Sequence, residues 1–297
     1  VSAPVVVGVD GSAPSLEAVD LAAREARLRG RGLKVVHAFV WPMMHAPFGP
    51  GPSPLGPAEG GPRDLVGWTV AEAVERARSA EPEVEVTHAV VTGEPLTVLE
   101  AQSREAALVV VGSRGLGGFV GLLAGSTAVH LATHSRCPVL VVREQPRPAR
   151  RVLVGVDGSP AGDAAVEFAF AEAALRGAPL TALHAWTLWN ASLPALQDES
   201  MPYTNPPGEL EDSEERLVTE ALSGRGERYP GVTVEHKVVR GGAREALIEA
   251  SRDAGLLVLG ARGRGGFAGL LLGSVSQALL QHAHCPVAVV RGSGVRW

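Results

Sequence analysis

The sequence predicts an α/β fold built twice: two tandem open parallel sheets of five strands, each with helices on both faces. Three observations carry this reading. Short apolar runs alternate with amphipathic stretches at helical spacing along the whole chain, which is the order of strand–helix–strand units joined by right-handed crossovers. The runs are continuously apolar, as in Val5-Val-Val7 and Ala107-Leu-Val-Val-Val111, which fits strands covered on both faces. The pattern also repeats end to end. Val5-Val-Val-Gly8-Val-Asp10-Gly-Ser12 returns as Val152-Leu-Val-Gly155-Val-Asp157-Gly-Ser159, and Cys137-Pro-Val-Leu-Val-Val-Arg143 as Cys285-Pro-Val-Ala-Val-Val-Arg291. Asp157 follows Asp10 by 147 positions and Cys285 follows Cys137 by 148. Two copies of domain length mean tandem domains, not a solenoid. The expected boundaries are residues 1–144 and 151–297, with a Pro/Arg linker over 145–150.

In the first copy, a strand over Pro4–Val9 runs into the turn Asp10-Gly-Ser12, and Ser15–Arg29 reads as an amphipathic helix closed by Gly30. Leu33–Val40 is a second strand. Trp41–Arg63 is crowded with Pro and Gly and reads as a long exposed loop, a feature usually functional or mobile. A helix over about Asp64–Ser79, a strand at Val84–Val91 and a helix over about Leu96–Glu105 follow. The strand ending at Val111, a glycine-rich loop, a helix over Ser126–His134 and a strand at Pro138–Val142 complete the unit. The second copy keeps this order, with an irregular insert at about Leu188–Gly208. Its acidic run Glu209–Glu215 reads as a solvated helix start, where carboxylates favour the dipole.

The glycine-rich loop carries the chemistry. Gly112-Ser113-Arg114-Gly115-Leu116-Gly117-Gly118 leads on to Gly125-Ser126-Thr127, and Gly260-Ala261-Arg262-Gly263-Arg264-Gly265-Gly266 leads on to Gly273-Ser274-Val275. Both copies read Gly, two residues, Gly, nine residues, Gly-Ser. A strand, a flexible glycine loop and a helix start make an anion cradle: backbone N–H groups converge where the helix dipole is positive. The expected ligand is a phosphorylated nucleotide, held twice. Ser126, Thr127 and Ser274 can add hydroxyl donors, or serve as ordinary caps. Arg114 and Arg262 can reach phosphate, or be solvated surface arginines; Arg264 in place of Leu116 makes the second loop more positive. The loop lacks the Gly-Lys-Ser/Thr of a Walker A sequence, and a Rossmann fingerprint would follow the first strand instead. Asp10 and Asp157, just past a first strand, can accept hydrogen bonds from ribose or a base amine, or simply cap a turn. If the first and fourth strands flank the switch in strand order, these aspartates and the loops face one pocket.

Composition bounds the rest. A net charge of −5 with 45% hydrophobic and 20% charged residues fits a globular chain and argues against a general nucleic-acid binder. No apolar run approaches the roughly 18 residues of a membrane span, and the first residues show no secretory pattern. Two cysteines, Cys137 and Cys285, fit a reducing compartment, so a cytoplasmic protein is expected. His282, His284 and Cys285 suggest metal ligands, but the first copy has His134, Arg136 and Cys137, so the spacing is not kept and no metal site is expected. His37 and His184 read as strand-end packing residues. No nucleophile arrangement is inferable, and no catalytic residue is named.

These residues resemble the universal stress protein family, specifically its tandem-domain, ATP-binding branch common in actinobacteria. The branch's signature stands here as Gly112, Gly115, Gly125, Ser126 and as Gly260, Gly263, Gly273, Ser274. The opening Gly-Val-Asp-Gly-Ser, the His-Ala pairs at 37–38 and 184–185, and the Cys-Pro-Val last strands are also similar. The resemblance covers nearly all of both halves. It implies Rossmann-like sheets of order 3-2-1-4-5 with ATP at the carboxyl edge. Asp10 and Asp157, with backbone groups near Val40 and Thr187, would contact the nucleoside end, Gly8 and Gly155 would also belong to the nucleotide site, and the two glycine loops with Ser126 and Ser274 would hold the phosphates. Mg²⁺ accompanying the nucleotide would be carried mainly by phosphate oxygens and water. It further implies pairing through the last strands, Val139–Val142 and Val287–Val290, within a chain or in a homodimer, and a regulatory protein partner in stress response or growth control. Thr187 departs from Val40, which puts the second adenine contact in question.

The expected role is therefore that of an ATP-binding regulator and not a fast enzyme, because efficient phosphoryl transfer needs a positioned metal, an activated nucleophile and transition-state charges. The rival is an enzyme of a related adenine-nucleotide fold that slowly hydrolyses ATP or transfers a nucleotidyl group. Such enzymes would be expected to carry a Ser-Gly-Gly-type loop after the first strand, from which Gly8-Val-Asp-Gly-Ser12 departs.

Overall fold

The computed structural model describes residues 2–40, 62–115, 125–143, 149–187, 209–264 and 271–292. The chain divides into two compact units, Val1–Val142 and Arg143–Trp297. Residues 41–61 of the expected loop over Trp41–Arg63, the insert Leu188–Gly208, the middle of both glycine loops and most of the linker lie outside the described residues, and the last two positions of that loop, Pro62 and Arg63, already belong to the following helix.

Unit 1 runs β1 (Val5–Gly8), α1 (Ala13–Leu28), β2 (Leu33–Phe39), α2 (Pro62–Ala80), β3 (Val86–Thr92), α3 (Pro95–Gln102), β4 (Leu108–Gly112), α4 (Ser126–His134) and β5 (Val139–Val142). Its strands pair in the order β3-β2-β1-β4-β5, all parallel. β1 lies between β2 and β4, with Val5 in register with Leu33 on one side and Leu108 on the other. The chain thus leaves β1 toward one edge and returns at β4 on the other side, so the switch in strand order falls between β1 and β4.

Unit 2 repeats this with β6 (Val152–Gly155), α5 (Pro160–Arg176), β7 (Leu180–Trp186), α6 (Glu209–Leu222), a short α7 (Arg225–Arg228), β8 (Val234–Arg240), α8 (Ala243–Ala250), β9 (Leu256–Gly260), α9 (Ser274–His282) and β10 (Val287–Val290). Its parallel order is β8-β7-β6-β9-β10.

Local chemistry explains the element ends. α1 and α5 begin at Ser12 and Ser159, whose hydroxyls accept from the N–H groups of Ser15 (3.3 Å) and Gly162 (3.0 Å), with proline in the first turn. α5 stops at Gly177, which takes the left-handed conformation (φ 56°, ψ 41°). α3 ends at Gln102, short of the expected Glu105. There the Ser103 hydroxyl donates to the Glu100 carbonyl (2.6 Å) and accepts from the Arg136 N–H (3.0 Å). Ser251 does the same in unit 2, bonding the Ile248 carbonyl and the His284 N–H.

The core of each unit lies on both faces of its sheet. Val5, Val7, Val109 and Val110 are fully buried, as are Val152, Val154, Leu257 and Val258. α1 covers its sheet with Ala18, Ala22, Ala23 and Ala26, all fully buried, at the i, i+4 spacing of one face. These small side chains let the helix lie close. Cys137 and Cys285, just ahead of β5 and β10, are buried free thiols, and burial pushes them up to about 11 and about 12.

Each copy also buries an equivalent glutamate in its first helix. Glu25 and Glu172 are 1% exposed and pair within their helices with Arg29 and Arg176. Removing one partner of a buried pair strands the other charge, at a loss of about 3 kcal/mol. Arg176→Ala is therefore expected to lower the unfolding free energy of unit 2, read from urea denaturation, by that amount. Arg252→Ala, which breaks the exposed pair with Glu249, is expected to change it by less than about 0.5 kcal/mol.

Candidate functional site

The end of β1 and the end of β4 meet at the carboxyl edge of the unit 1 sheet. Just past β1, Asp10 turns the chain: its Oδ1 accepts from the Ser12 N–H (3.0 Å) and hydroxyl (2.6 Å). That is cap chemistry, and it orients Ser12 for its own task at the start of α1. The other oxygen, Oδ2, lies against Gly115, where an added Cβ would collide with it. Gly112 is equally confined, since a Cβ there would stand 2.7 Å from the Pro14 carbonyl oxygen in α1. Both glycines are required by close approach of backbone or carboxylate.

The glycine loop is closed on itself at the base. The Gly125 N–H donates to the Ser113 carbonyl at 2.7 Å, so the loop returns to where it left β4. Gly125 then caps α4 without any side-chain bond, and the first-turn N–H groups of the helix stay available to a ligand. A cavity of about 500 Å³ opens here, within the usual range for small-molecule sites. Asp10, Arg114, Gly115 and Ser126–Ala128 form its polar end, and Val9, Val36, Ala38, Leu99 and Val111 its apolar walls.

Unit 2 builds the same site with different side chains. Asp157 Oδ1 accepts from the Ser159 N–H (2.9 Å) and hydroxyl (2.7 Å), and its Oδ2 accepts from the Arg264 N–H (2.8 Å). The carboxylate thereby ties the helix cap to the glycine loop directly. Gly273 N–H closes the loop on the Ala261 carbonyl at 2.8 Å. The cavity, of about 440 Å³, is lined by Asp157, Arg262, Gly263, Arg264 and Gly273–Ser276, with Leu183, His184, Leu247 and Leu259 among its walls.

Of the residues expected from sequence, the unit 1 cavity gathers Gly8, Asp10, Gly112, Arg114, Gly115, Gly125, Ser126 and Thr127. The unit 2 cavity gathers Gly155, Asp157, Gly260, Arg262, Gly263, Arg264, Gly273, Ser274 and Val275. Ser113 and Ala261 act through their carbonyls at the loop base and not in the linings. Val40 lies beyond the end of β2 and is 47% exposed, and Thr187 follows β7; neither is among the lining residues. Leu116, Gly117, Gly118, Gly265 and Gly266 lie outside the described residues.

Sequence reasoning missed the apolar walls, because valines and leucines at strand ends read as core. It also missed a buried pair. His184, expected to be a packing residue, lines the unit 2 cavity. Its Nδ1 bonds the Val156 carbonyl (2.7 Å) and its Nε2 meets Glu214 Oε2 at 2.6 Å. Glu214 is fully buried, although the run Glu209–Glu215 reads as solvated. The reason is helical phase: Glu214 shares the buried face of α6 with Leu217 and Val218. In unit 1, His37 bonds the Val9 carbonyl in the same way (2.9 Å) but is only half-buried.

Comparison with known proteins gives this geometry a context. A profile of the Universal stress protein family matches residues 3–143 and again 148–291. A universal stress protein of Mycobacterium tuberculosis is 40% identical over 304 residues, covering 97% of this chain and 94% of that protein. One from Mycolicibacterium smegmatis is 36% identical over 296 residues, covering 97% and 96%. In fold alone, the crystal structure of a universal stress protein from Archaeoglobus fulgidus is similar across 98% of this chain and 99% of its own, with a TM-score of 0.69 at 18% identity. Both repeats carry the profile, and the curated relatives align over nearly the full length: the chain belongs to the universal stress protein family.

Proposed function

We propose that this protein binds ATP, one molecule in each unit, and acts as a regulator of stress response or growth. One observation carries the reading: each unit pairs a base-closed glycine loop and an uncapped helix start with an aspartate across a cavity of nucleotide size. The phosphates would lie against the first-turn N–H groups of α4 and α9, where the dipole favours negative charge. Arg114 and Arg262 are exposed on the cavity rim, within reach of a terminal phosphate. The apolar walls suit an adenine base, and the backbone near Val40 and Thr187 would contact it. Asp10 and Asp157 would face the ribose.

The polar inventory supports a holding role over fast turnover. Each set of lining residues contains one carboxylate, Asp10 or Asp157, and one oxygen of each is committed to a helix cap. That is no cage for a divalent ion, so Mg²⁺ would travel with the phosphates, its remaining ligands being water. His184 offers no idle base, because both ring nitrogens are engaged.

Purified protein, denatured and its released small molecules chromatographed, is expected to yield two adenine nucleotides per chain. Protein that is empty and also fails to bind added ATP would overturn the reading. Turnover of labelled ATP faster than about one per minute would shift the assignment to an enzyme, since typical enzymes run at roughly 1–1000 per second.

Gly115→Ala would push a Cβ into Asp10. It is expected to weaken the unit 1 site at least tenfold, about 1.4 kcal/mol, with the unit 2 site still occupied; Gly263→Ala is expected to do the reverse. Isothermal titration of both variants resolves the two sites.

The second loop is the more cationic, so Arg264→Leu is expected to weaken ATP at unit 2 by about fivefold and to reduce the salt dependence of binding there, as for a partly screened charge. An affinity independent of this substitution at low and high salt would count against phosphate placement beside Arg264.

A further inference from the structure

We propose that Glu100, His130 and His134 form a binding site for a divalent transition-metal ion of the zinc class, present in unit 1 and lacking a counterpart in unit 2. His130 and His134 stand four residues apart on α4, one turn above each other on the same face, with stacked rings 4.3 Å apart and 20° from parallel. Glu100 reaches them from α3. One ligand-capable atom from each residue lies within 4.8 Å of the other two. Two histidines at this helical spacing with a carboxylate from a neighbouring element are a zinc donor set that leaves a fourth position for water.

The surrounding hydrogen bonds prepare the ring nitrogens. His134 Nδ1 lies 2.6 Å from the Thr133 hydroxyl and 3.1 Å from the His130 carbonyl oxygen, while the Thr133 hydroxyl itself donates to that carbonyl at 2.6 Å. With the hydroxyl hydrogen so used, His134 Nδ1 carries the proton and donates it, which leaves Nε2 a lone pair directed outward. A backbone or hydroxyl acceptor on the far ring nitrogen is the usual outer support of a metal-bound histidine. His130 Nε2 already faces Glu100 Oε2 at 3.0 Å. Two ligands on one tetrahedral zinc sit about 3.4 Å apart, given bond lengths near 2.1 Å. An ion would therefore replace the proton between them with an opening of a few tenths of an ångström. The side chains are 25% and 31% exposed, so an ion has a path in and room to settle.

The positions equivalent to Glu100, His130 and His134 in unit 2 are Ile248, Ala278 and His282. One ligand of three remains, and the repeat becomes an internal control. The helix sequence His130-Leu-Ala-Thr-His134 has no acid between the histidines, where helical zinc hydrolases carry their general base, so the site is assigned to binding alone. None of the three residues lines the unit 1 cavity, but α3 and α4 both contribute to its wall through Pro95, Leu99 and Ser126–Ala128. An ion joining the two helices would brace that wall.

The test uses the full-length chain after chelator treatment, titrated with Zn²⁺ against a chromophoric competitor and with Co²⁺ for its visible absorption. One Zn²⁺ per chain is expected, with Co²⁺ bands of four- or five-coordination. His130→Ala and His134→Ala should each reduce affinity at least about tenfold, the scale on which even outer-support losses act, while His282→Ala should leave it unchanged. Absence of a bound ion at ten micromolar Zn²⁺, or equal affinity in all variants, would overturn the proposal. Should an alanine variant fail to fold, the imidazole resonances of the unaltered protein decide: two histidines shifting together at one equivalent of Zn²⁺ support the site, and none shifting overturns it.

Discussion

A single carboxylate in each unit holds the functional edge of the sheet together. Asp10 and Asp157 sit where the first strand ends, and one oxygen of each fixes the serine that caps the following helix. The other oxygen occupies the space that a side chain at Gly115 or Gly263 would need. The glycine is thus dictated by the aspartate as much as by any ligand. Because β1 and β4 are neighbours across the switch in strand order, this short-range fit also sets the distance between the start of α1 and the glycine loop. Loop closure through Gly125 or Gly273 then aims the next helix at the same spot.

How much of this was legible follows from the length scale of each signal. Duplication and continuous apolar runs carry the succession of strands and helices in each unit, and the spacing of Gly112, Gly115 and Gly125 marks the loop that closes beside the end of β4. What the chain hides is whatever depends on helical phase or on encounter at a distance. Glu214 sits inside an acidic run yet points inward with Leu217 and Val218, and its histidine partner is thirty positions away. Glu100 and His130 are likewise thirty apart, joined only when α3 packs beside α4. Val36 and Leu183 face a cavity, but nothing separates them in sequence from valines and leucines of the core. Helix ends were off by a few residues where a side chain intervenes, as Ser103 does at the end of α3.

The two copies have kept their scaffolds and changed their linings. The serine caps, the buried glutamate–arginine pairs and the serine brackets after α3 and α8 recur position for position. Among the lining positions Thr127 corresponds to Val275, the lining residue Arg264 stands where the first copy has Leu116 in sequence, and the lining residue His184 corresponds to a half-buried His37. Residues that hold the fold tolerate little change, since removing a buried charge partner or crowding a glycine disturbs the whole edge.

The two thiols have a chemical consequence of their own. A sulfur whose pKa lies near 11 or 12 is ionised, at neutral pH, in about one molecule in ten thousand or fewer, and the thiolate is the species that attacks peroxides and disulfides. Cys137 and Cys285 are in addition sealed from solvent, at 3% and 0% exposure. Sulfenic acid formation and mixed disulfides are therefore suppressed at both positions while the units stay folded. Their low thiolate population and burial make both sulfurs slow to react in the folded units.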